Sequence, residues 1–316
     1  FRRYLQKHLP EHLSEFPEPD PFEGANIPVL ESLPDEIVAK WQPVAPEDLE
    51  DPMSLIAKLP IDHEVGPCAV RGGTNAARAA LREFLDEKLT HYAEKRNEPE
   101  RDMGSGLSPY LHWGHISTHE VFEAICKRES WSPVQLSDET KGKREGWWGM
   151  SPEAESFLDE LITWREVGYT FCALRDDYGQ YSSLPDWAQT TLAEHADDPR
   201  EYVYSLEAFE SAQTHDPLWN AAQTQLLQEG RIHKYLRMLW GKKIIEWTET
   251  PQKALGIMIQ LNNKYALDGR DPNSYSGIFW CFGRFDRPWP EREIFGKVRY
   301  MSSQNTARKV NVKGYI

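Results

Sequence analysis

The stretch from Leu218 to Tyr265, LWNAAQTQLLQEGRIHKYLRMLWGKKIIEWTETPQKALGIMIQLNNKY, constrains the fold more than any other part of the chain. Its apolar residues recur at helical spacing: Leu226 and Leu227, then Leu236, Leu239, Trp240, Ile244 and Trp247, then Leu255, Met258 and Ile259. This period predicts three helices. Gly230 separates the first pair, and Thr250 as cap with Pro251 at the first helical position opens the third. Trp240 and Trp247 share a face of the middle helix, about 10 Å apart along its axis at 1.5 Å rise per residue. Arg237, Lys242 and Lys243 add positive charge beside them. An indole pair on one helix face is ordinary core material; it also suits stacking or electron transfer.

Composition narrows the class. The chain has 316 residues, 40% hydrophobic, with twelve tryptophans, enough for one large or two ordinary domains. No apolar run reaches transmembrane length and no signal segment is legible, so the expectation is a cytoplasmic protein, in the nucleoid or nucleus if eukaryotic. Cys68, Cys126, Cys172 and Cys281 lack metal-ligand spacing and read as reduced thiols, with no metal site. The net charge of -14 argues against nucleic acid, but its distribution does not. Residues 11–51 hold twelve acids and one lysine, whereas Arg231–Trp247 has five cations against one acid and Arg284–Lys313 eight against three. Local basic surface is what meets phosphates.

In chain order, residues 1–60 form a Pro- and acid-rich arm: a short helix over FRRYLQKHLPEHL, then extended chain through EFPEPDPFEGANIP. Residues 61–316 form the main, all-α domain. A helix is expected from Thr74, as its cap, to about Lys95, and the loop Gly104–Ser108 then precedes another. Such a loop presents N–H groups and hydroxyls to an anion, though glycine-serine loops are common. Ser130–Met150 reads as an irregular loop. Glu153–Leu174 is amphipathic, with Glu160 and Trp164 one turn apart. Asp176–Asp216 is acidic and reads as solvated. Asn273–Phe282 is expected to be a short helix with Trp280 on its buried face.

HDPLWNAAQ, LRMLWGKKIIEW and LNNKYALDGRDPN, followed by GIFW, FDRPWPER and FGKVRYMS and preceded by GLSPYLHWGHIS and ELITWREVGYTF, resemble the C-terminal FAD-binding domain of DNA photolyases and cryptochromes. The pattern is most similar to class II cyclobutane pyrimidine dimer photolyases and runs from about residue 65 to the end. The resemblance implies a multi-helix FAD-binding domain. The N-terminal α/β antenna domain of that family is not expected on this chain, nor is an antenna chromophore. The chain begins without methionine and reads as a fragment or processed piece, a natural short form being the alternative.

The resemblance also implies roles. Tyr92, Ser105, Leu107 through its backbone, and Ser108 match the cofactor cradle, and Arg237, Asn262 and Asp268 match positions beside the flavin ring. Asn262 also suits a helix C-cap. Trp240, Trp219 and Trp247 match an inner, middle and outer electron-transfer chain. Glu160, Trp164, Met238 and Trp280 match contacts to a flipped-out lesion. Arg270 and Arg287, with Arg284, Lys297, Arg299 and Lys313, are candidate phosphate contacts. Phe285 stands where the family usually has histidine. The implied enzyme is a deoxyribodipyrimidine photo-lyase, active with reduced FAD, acting as a monomer on double-stranded DNA that contains pyrimidine dimers. A cryptochrome-like photoreceptor without repair is the alternative, and a light-inactive helical flavoprotein oxidoreductase a third. Retention of Glu160, Trp164, Met238 and Trp280 together favours repair.

Overall fold

Three consecutive helices, Pro217–Glu229, Lys234–Glu246 and Pro251–Tyr265, occupy the stretch singled out by its period. Each boundary has a local cause. Asp216 accepts the Leu218 and Trp219 amides at 3.0 and 3.1 Å, with Pro217 at the first helical position. Thr250 accepts the Lys253 amide at 3.2 Å ahead of Pro251. Gly230 closes the first helix at φ +67, where a Cβ would also sit 2.7 Å from the Leu267 side chain. Pro272–Cys281 repeats the device, with Asp271 accepting the Asn273 amide.

The computed structural model describes residues 1–18 and 20–316, in two units: Phe1–Ser14 with Cys68–Ile316, and Glu15–Pro67. The unit boundary differs from the compositional one at residue 60. The helix Arg2–His8 belongs with the main unit because it is fastened there: Gln6 donates to the Lys143 carbonyl at 2.9 Å and accepts the Gly142 amide at 2.6 Å. Leu13 is buried with the aromatic core of that unit. The smaller unit carries the short helices Asp35–Lys40, Pro46–Glu50 and Pro52–Ala57, all beyond the EFPEPDPFEGANIP segment expected to be extended. The expected extended path at Pro19 lies outside the described residues.

The main unit is helical, as expected, and among the described residues the only bridge is an isolated one between Arg292 and Gly296. Two apolar cores form it. One draws on residues 13–161 and includes Phe84, Tyr92, Leu107, Trp131, Trp147, Trp148 and Phe157. The other draws on residues 171–312, centred on Trp219, Leu236, Leu239, Trp240, Met258, Phe279 and Phe282. Asp176–Asp216 is not merely solvated: Leu184, Ala188, Leu192 and Phe209 are inside the second core, Asp216 is buried as a helix cap, and acids such as Asp186, Glu194, Glu201 and Glu207 are exposed. The loop tryptophans, left without a role by sequence, pack on one another, and Trp131 donates to the Trp148 carbonyl at 2.5 Å.

Two predicted helices contain i→i+5 segments. The first breaks into Thr74–Glu83, a π segment Phe84–Lys88 and a final turn Tyr92–Lys95, with Gly73 rather than Thr74 at the cap position. The second runs Pro152–Leu158, π segment Asp159–Trp164, then Arg165–Ala173. Such segments recur at functional sites. The second one carries Glu160 and Trp164.

Candidate functional site: one cavity and a buried aromatic ladder

Between the two cores lies a cavity of about 1240 Å³. That exceeds the ~300–1,000 Å³ of ordinary small-molecule sites and suits an elongated ligand, with room beside it for a second. Tyr92, Ser105, Leu107, Ser108, Glu160, Trp164, Arg237, Met238, Trp240, Asn262, Asp268 and Trp280 all line it. These residues are far apart in sequence. The turn Tyr92–Lys95, the Gly104–Ser108 loop, the π segment, the second and third central helices, the turn holding Asp268 and the Pro272–Cys281 helix bring them together.

The polar centre of the cavity is the Arg237–Asp268 pair, joined by two bonds of 3.0 and 3.3 Å. Burial alone would raise the Asp268 pKa. Arg237, with the Ser108 hydroxyl, outweighs that and holds the carboxyl below its ordinary value, so it is ionised. Asn262 is buried in the last turn of its helix, whose C-cap is Ala266 rather than Asn262; its Nδ2 donates to Ser274 Oγ at 2.5 Å. The Leu107 amide, expected to face an anion, donates to Ser105 Oγ at 3.3 Å. The helix behind it, Ser108–His112, is only five residues long and supplies little dipole.

A second polar group sits at Glu160. Its carboxylate meets Arg96 at 2.8 Å and Lys234 at 2.5 Å. Burial, reinforced by the Glu160 charge, pushes the adjoining Tyr92 hydroxyl up to about 12. Trp164 and Trp280 touch edge to face, with ring centres 4.7 Å apart at 64°. They form a corner rather than a slot: a planar base can lie against the corner but cannot enter between the rings. Phe285 packs on Trp280 and Phe171 with φ +67, an unusual backbone for a residue other than glycine.

Behind Trp240 runs a ladder of rings. Trp219 is parallel to Trp240, with centres 6.4 Å apart and 5° between planes, and its Nε1 donates to the Trp240 carbonyl at 3.0 Å. Trp247 meets Trp219 edge-on at 6.1 Å. Trp240 is itself fixed by Nε1 donating to Gln223 at 2.9 Å. The order inner, middle, outer is that expected from sequence. One feature differs: Trp247 is only 3% exposed and does not reach solvent itself. Beyond it stand Tyr204 at 5.8 Å and the exposed His215 at 4.8 Å, which share a bond of 2.8 Å.

Counting charges along the sequence misled in one place. The five cations of Arg231–Trp247 do not form a basic surface. Arg231 pairs with Asp102 and Glu229, Lys234 with Glu160, and Arg237 with Asp268. Lys243 is buried against Glu246. Lys242 is 1% exposed, its ammonium donates to the Cys281 carbonyl at 2.5 Å, and burial lowers its pKa to about 8. Arg284 is also turned inward, over the Phe171 ring and onto the Ser183 carbonyl. Arg270 and Arg287 do not line the cavity; both are exposed, Arg287 over Trp289 at 5.2 Å. Arg299 is exposed and lines the cavity.

Sequence inspection missed Arg2, Arg96, Lys234 and His233 in the lining. His233 is 8% exposed, burial lowers its pKa, and its buried Nδ1 has no hydrogen-bond partner among the described residues. An orphaned ring nitrogen at a cavity wall asks for a ligand atom. Together with the Arg237–Asp268 pair and the Ser105 and Ser108 hydroxyls, this donor set fits an anionic, dinucleotide-sized group.

Fold and site together define a class: the main unit has the helical fold of photolyases and cryptochromes. A class III photolyase from Agrobacterium tumefaciens superposes with a TM-score of 0.53 at 19% identity, over 88% of this chain and 48% of that one. The cryptochrome of Synechocystis sp. PCC6803 superposes with a TM-score of 0.55 at 17% identity, over 82% and 47%. In sequence the chain is similar to proteins named deoxyribodipyrimidine photo-lyase. That of Methanothermobacter thermautotrophicus is 45% identical over 272 residues, 86% of this chain and 52% of the relative. Those of Oryza sativa subsp. japonica and Arabidopsis thaliana are 38% and 37% identical along the whole of this chain, over 57% and 58% of theirs. The chain thus spans about half the length of the curated relatives it matches. No family model matches the sequence.

Proposed function

We propose that this chain is the flavin-binding half of a light-driven DNA lyase that splits cyclobutane pyrimidine dimers, of the class II type. The carrying observation is that the eleven residues expected to contact cofactor or lesion line one cavity, with Trp240 at its wall and the rest of the aromatic ladder directly behind. No ordinary side chain delivers and recovers a single electron, so a redox cofactor is required; reduced FAD, when bound, supplies that electron under blue light.

The chain's own residues do the rest. Arg237 would supply positive charge to a bound flavin and so favour an anionic ring, while Asp268 holds the guanidinium in place. Asn262 offers its amide carbonyl, since Nδ2 is engaged with Ser274. Ser105, Ser108 and His233 bind polar atoms of the dinucleotide. The Trp164–Trp280 corner receives the extruded bases, offsetting the few kcal/mol of unstacking, and Met238 makes a soft contact. Glu160, held in place by its ion pairs with Arg96 and Lys234, accepts hydrogen bonds from the lesion. Trp240, at the cavity wall, with Trp219 and Trp247 behind it would form the path by which electrons reach the cofactor site. The partner is duplex DNA, met by exposed cations such as Arg270, Arg287 and Arg299 outside the acidic stretch.

The test is direct. The flavin-loaded, reduced chain is illuminated with a thymine-dimer oligonucleotide, and recovery of thymine absorbance is followed. Light-dependent recovery is expected. Photoreduction of bound flavin with the dimer left intact would move the assignment to a photoreceptor, which needs the ladder but not the corner. Failure to bind flavin would refute both.

A further inference from the structure

The π segment Asp159–Trp164 presents Glu160 and Trp164 to the cavity, and a residue at the far end of the chain holds it. The Asp159 carboxylate is 4% exposed. Arg2 meets it with both prongs of its guanidinium, Nε to Oδ1 at 2.9 Å and Nη2 to Oδ2 at 3.1 Å. Arg144 approaches the second oxygen at 3.6 Å. The Arg2 guanidinium carbon also lies 5.9 Å from the centre of the Trp164 ring, and Arg2 itself lines the cavity.

We propose that Arg2 is a positioning residue of the substrate pocket, clamping the π segment through Asp159 and backing Trp164, so that the Trp164–Trp280 corner stays open to an extruded pyrimidine dimer. This rests on the lesion-binding assignment above. A π segment lacks the regular i→i+4 ladder, so its side-chain directions need outside support. A fork-to-fork contact with a nearly dry carboxylate gives that support, because two parallel bonds fix orientation as well as distance. Lysine cannot reproduce it. The cation over Trp164 is near the ~6 Å limit of such contacts, so the clamp is the larger effect. The helix Arg2–His8 is suited to the task because Gln6 fastens it to the 142–143 backbone independently of Arg2.

The experiment compares wild type with Arg2→Met, Arg2→Lys, Asp159→Asn and the Arg2→Met/Asp159→Asn double variant, all flavin-loaded. Affinity for a thymine-dimer oligonucleotide and for its undamaged counterpart is measured by fluorescence anisotropy. Amide hydrogen exchange is followed across residues 159–165. Each single variant should weaken dimer binding by about tenfold and quicken exchange in that segment, with flavin content and undamaged-DNA affinity unchanged. The double variant should add nothing beyond the singles, because the two residues share one interaction. Arg2→Lys keeps the charge and the stem, so it carries the test if Arg2→Met fails to fold. Faster exchange with dimer affinity within about twofold of wild type would make Arg2 purely structural and overturn the proposal. Unchanged exchange would overturn the clamp. A wild type that binds dimer no better than undamaged DNA would instead sink the lesion assignment, leaving the exchange result to decide the clamp alone.

Discussion

Replacing Trp219 by phenylalanine separates the ladder's role in folding from its role in electron supply. Trp219 has no exposed surface and touches both neighbours, at 6.4 Å to Trp240 and 6.1 Å to Trp247. Phenylalanine loses the bond from Nε1 to the Trp240 carbonyl, worth about 1 kcal/mol net. The shrunken ring leaves a void in the second core, adding roughly 1–2 kcal/mol, for a total of about 2–3 kcal/mol. A urea titration should show this as a lower midpoint with an unchanged slope. Flavin content should hold, because Trp219 does not line the cavity. Light-driven reduction of the bound oxidised flavin should slow by at least about tenfold, equivalent to ~1.4 kcal/mol of barrier. Dimer splitting by protein reduced chemically beforehand should stay near wild type, since that electron does not pass through the ladder. Photoreduction at the wild-type rate in a folded Trp219→Phe protein would refute the ladder as the supply route.

Further outcomes follow from the buried charges. Asp268→Asn strands Arg237 beside the ring position and should weaken flavin binding by about 2 kcal/mol, roughly 30-fold, measurable by calorimetry on flavin-free protein. Because the Asp268 pKa is held below its ordinary 3.8, its contribution to stability is present above that value and disappears as pH falls through the folded-state value. Acid titrations of wild type and Asp268→Asn should therefore diverge least at the most acidic pH. For Lys242 the slope has the same sign but lies at alkaline pH: its folded pKa is lowered from 10.5 to about 8, so the unfolded chain binds more protons between those values and stability should rise with pH across that window. Lys242→Met should abolish the rise in urea midpoints; a rise that persists would mean that another group is titrating.

Much of this was legible in the residues themselves. The three central helices announced themselves because period and punctuation agree: leucines and tryptophans at helical spacing, with Asp216–Pro217 and Thr250–Pro251 at the openings. The aromatic ladder followed from resemblance, and its order survives in space. What was hidden depends on contacts that no local window contains. Arg2 and Asp159 are 157 residues apart, and nothing in FRRYLQKHL marks the first arginine as a cavity residue. Lys242 and Lys243 look like surface charge in sequence, yet the helix carrying them is surrounded on nearly every side. The π segments left no signature, since their apolar spacing resembles that of an ordinary helix over so few residues. The acidic stretch before residue 216 was dominated by its charges, which masked the few apolar side chains that do the packing.

The wide turn at Asp159–Trp164 has a genetic implication. A π turn holds one residue more than an α turn, so the loss of one codon there would let Pro152–Ala173 close into an unbroken helix with both flanks facing as they do now. A deletion from a regular buried helix would instead rotate one side of it by about 100°. Here the change would be confined to the segment itself, whose widened turn presents Glu160 and Trp164 to the cavity. Lineages that differ by a single residue at this point should therefore differ in that wall of the cavity while keeping the surrounding bundle intact.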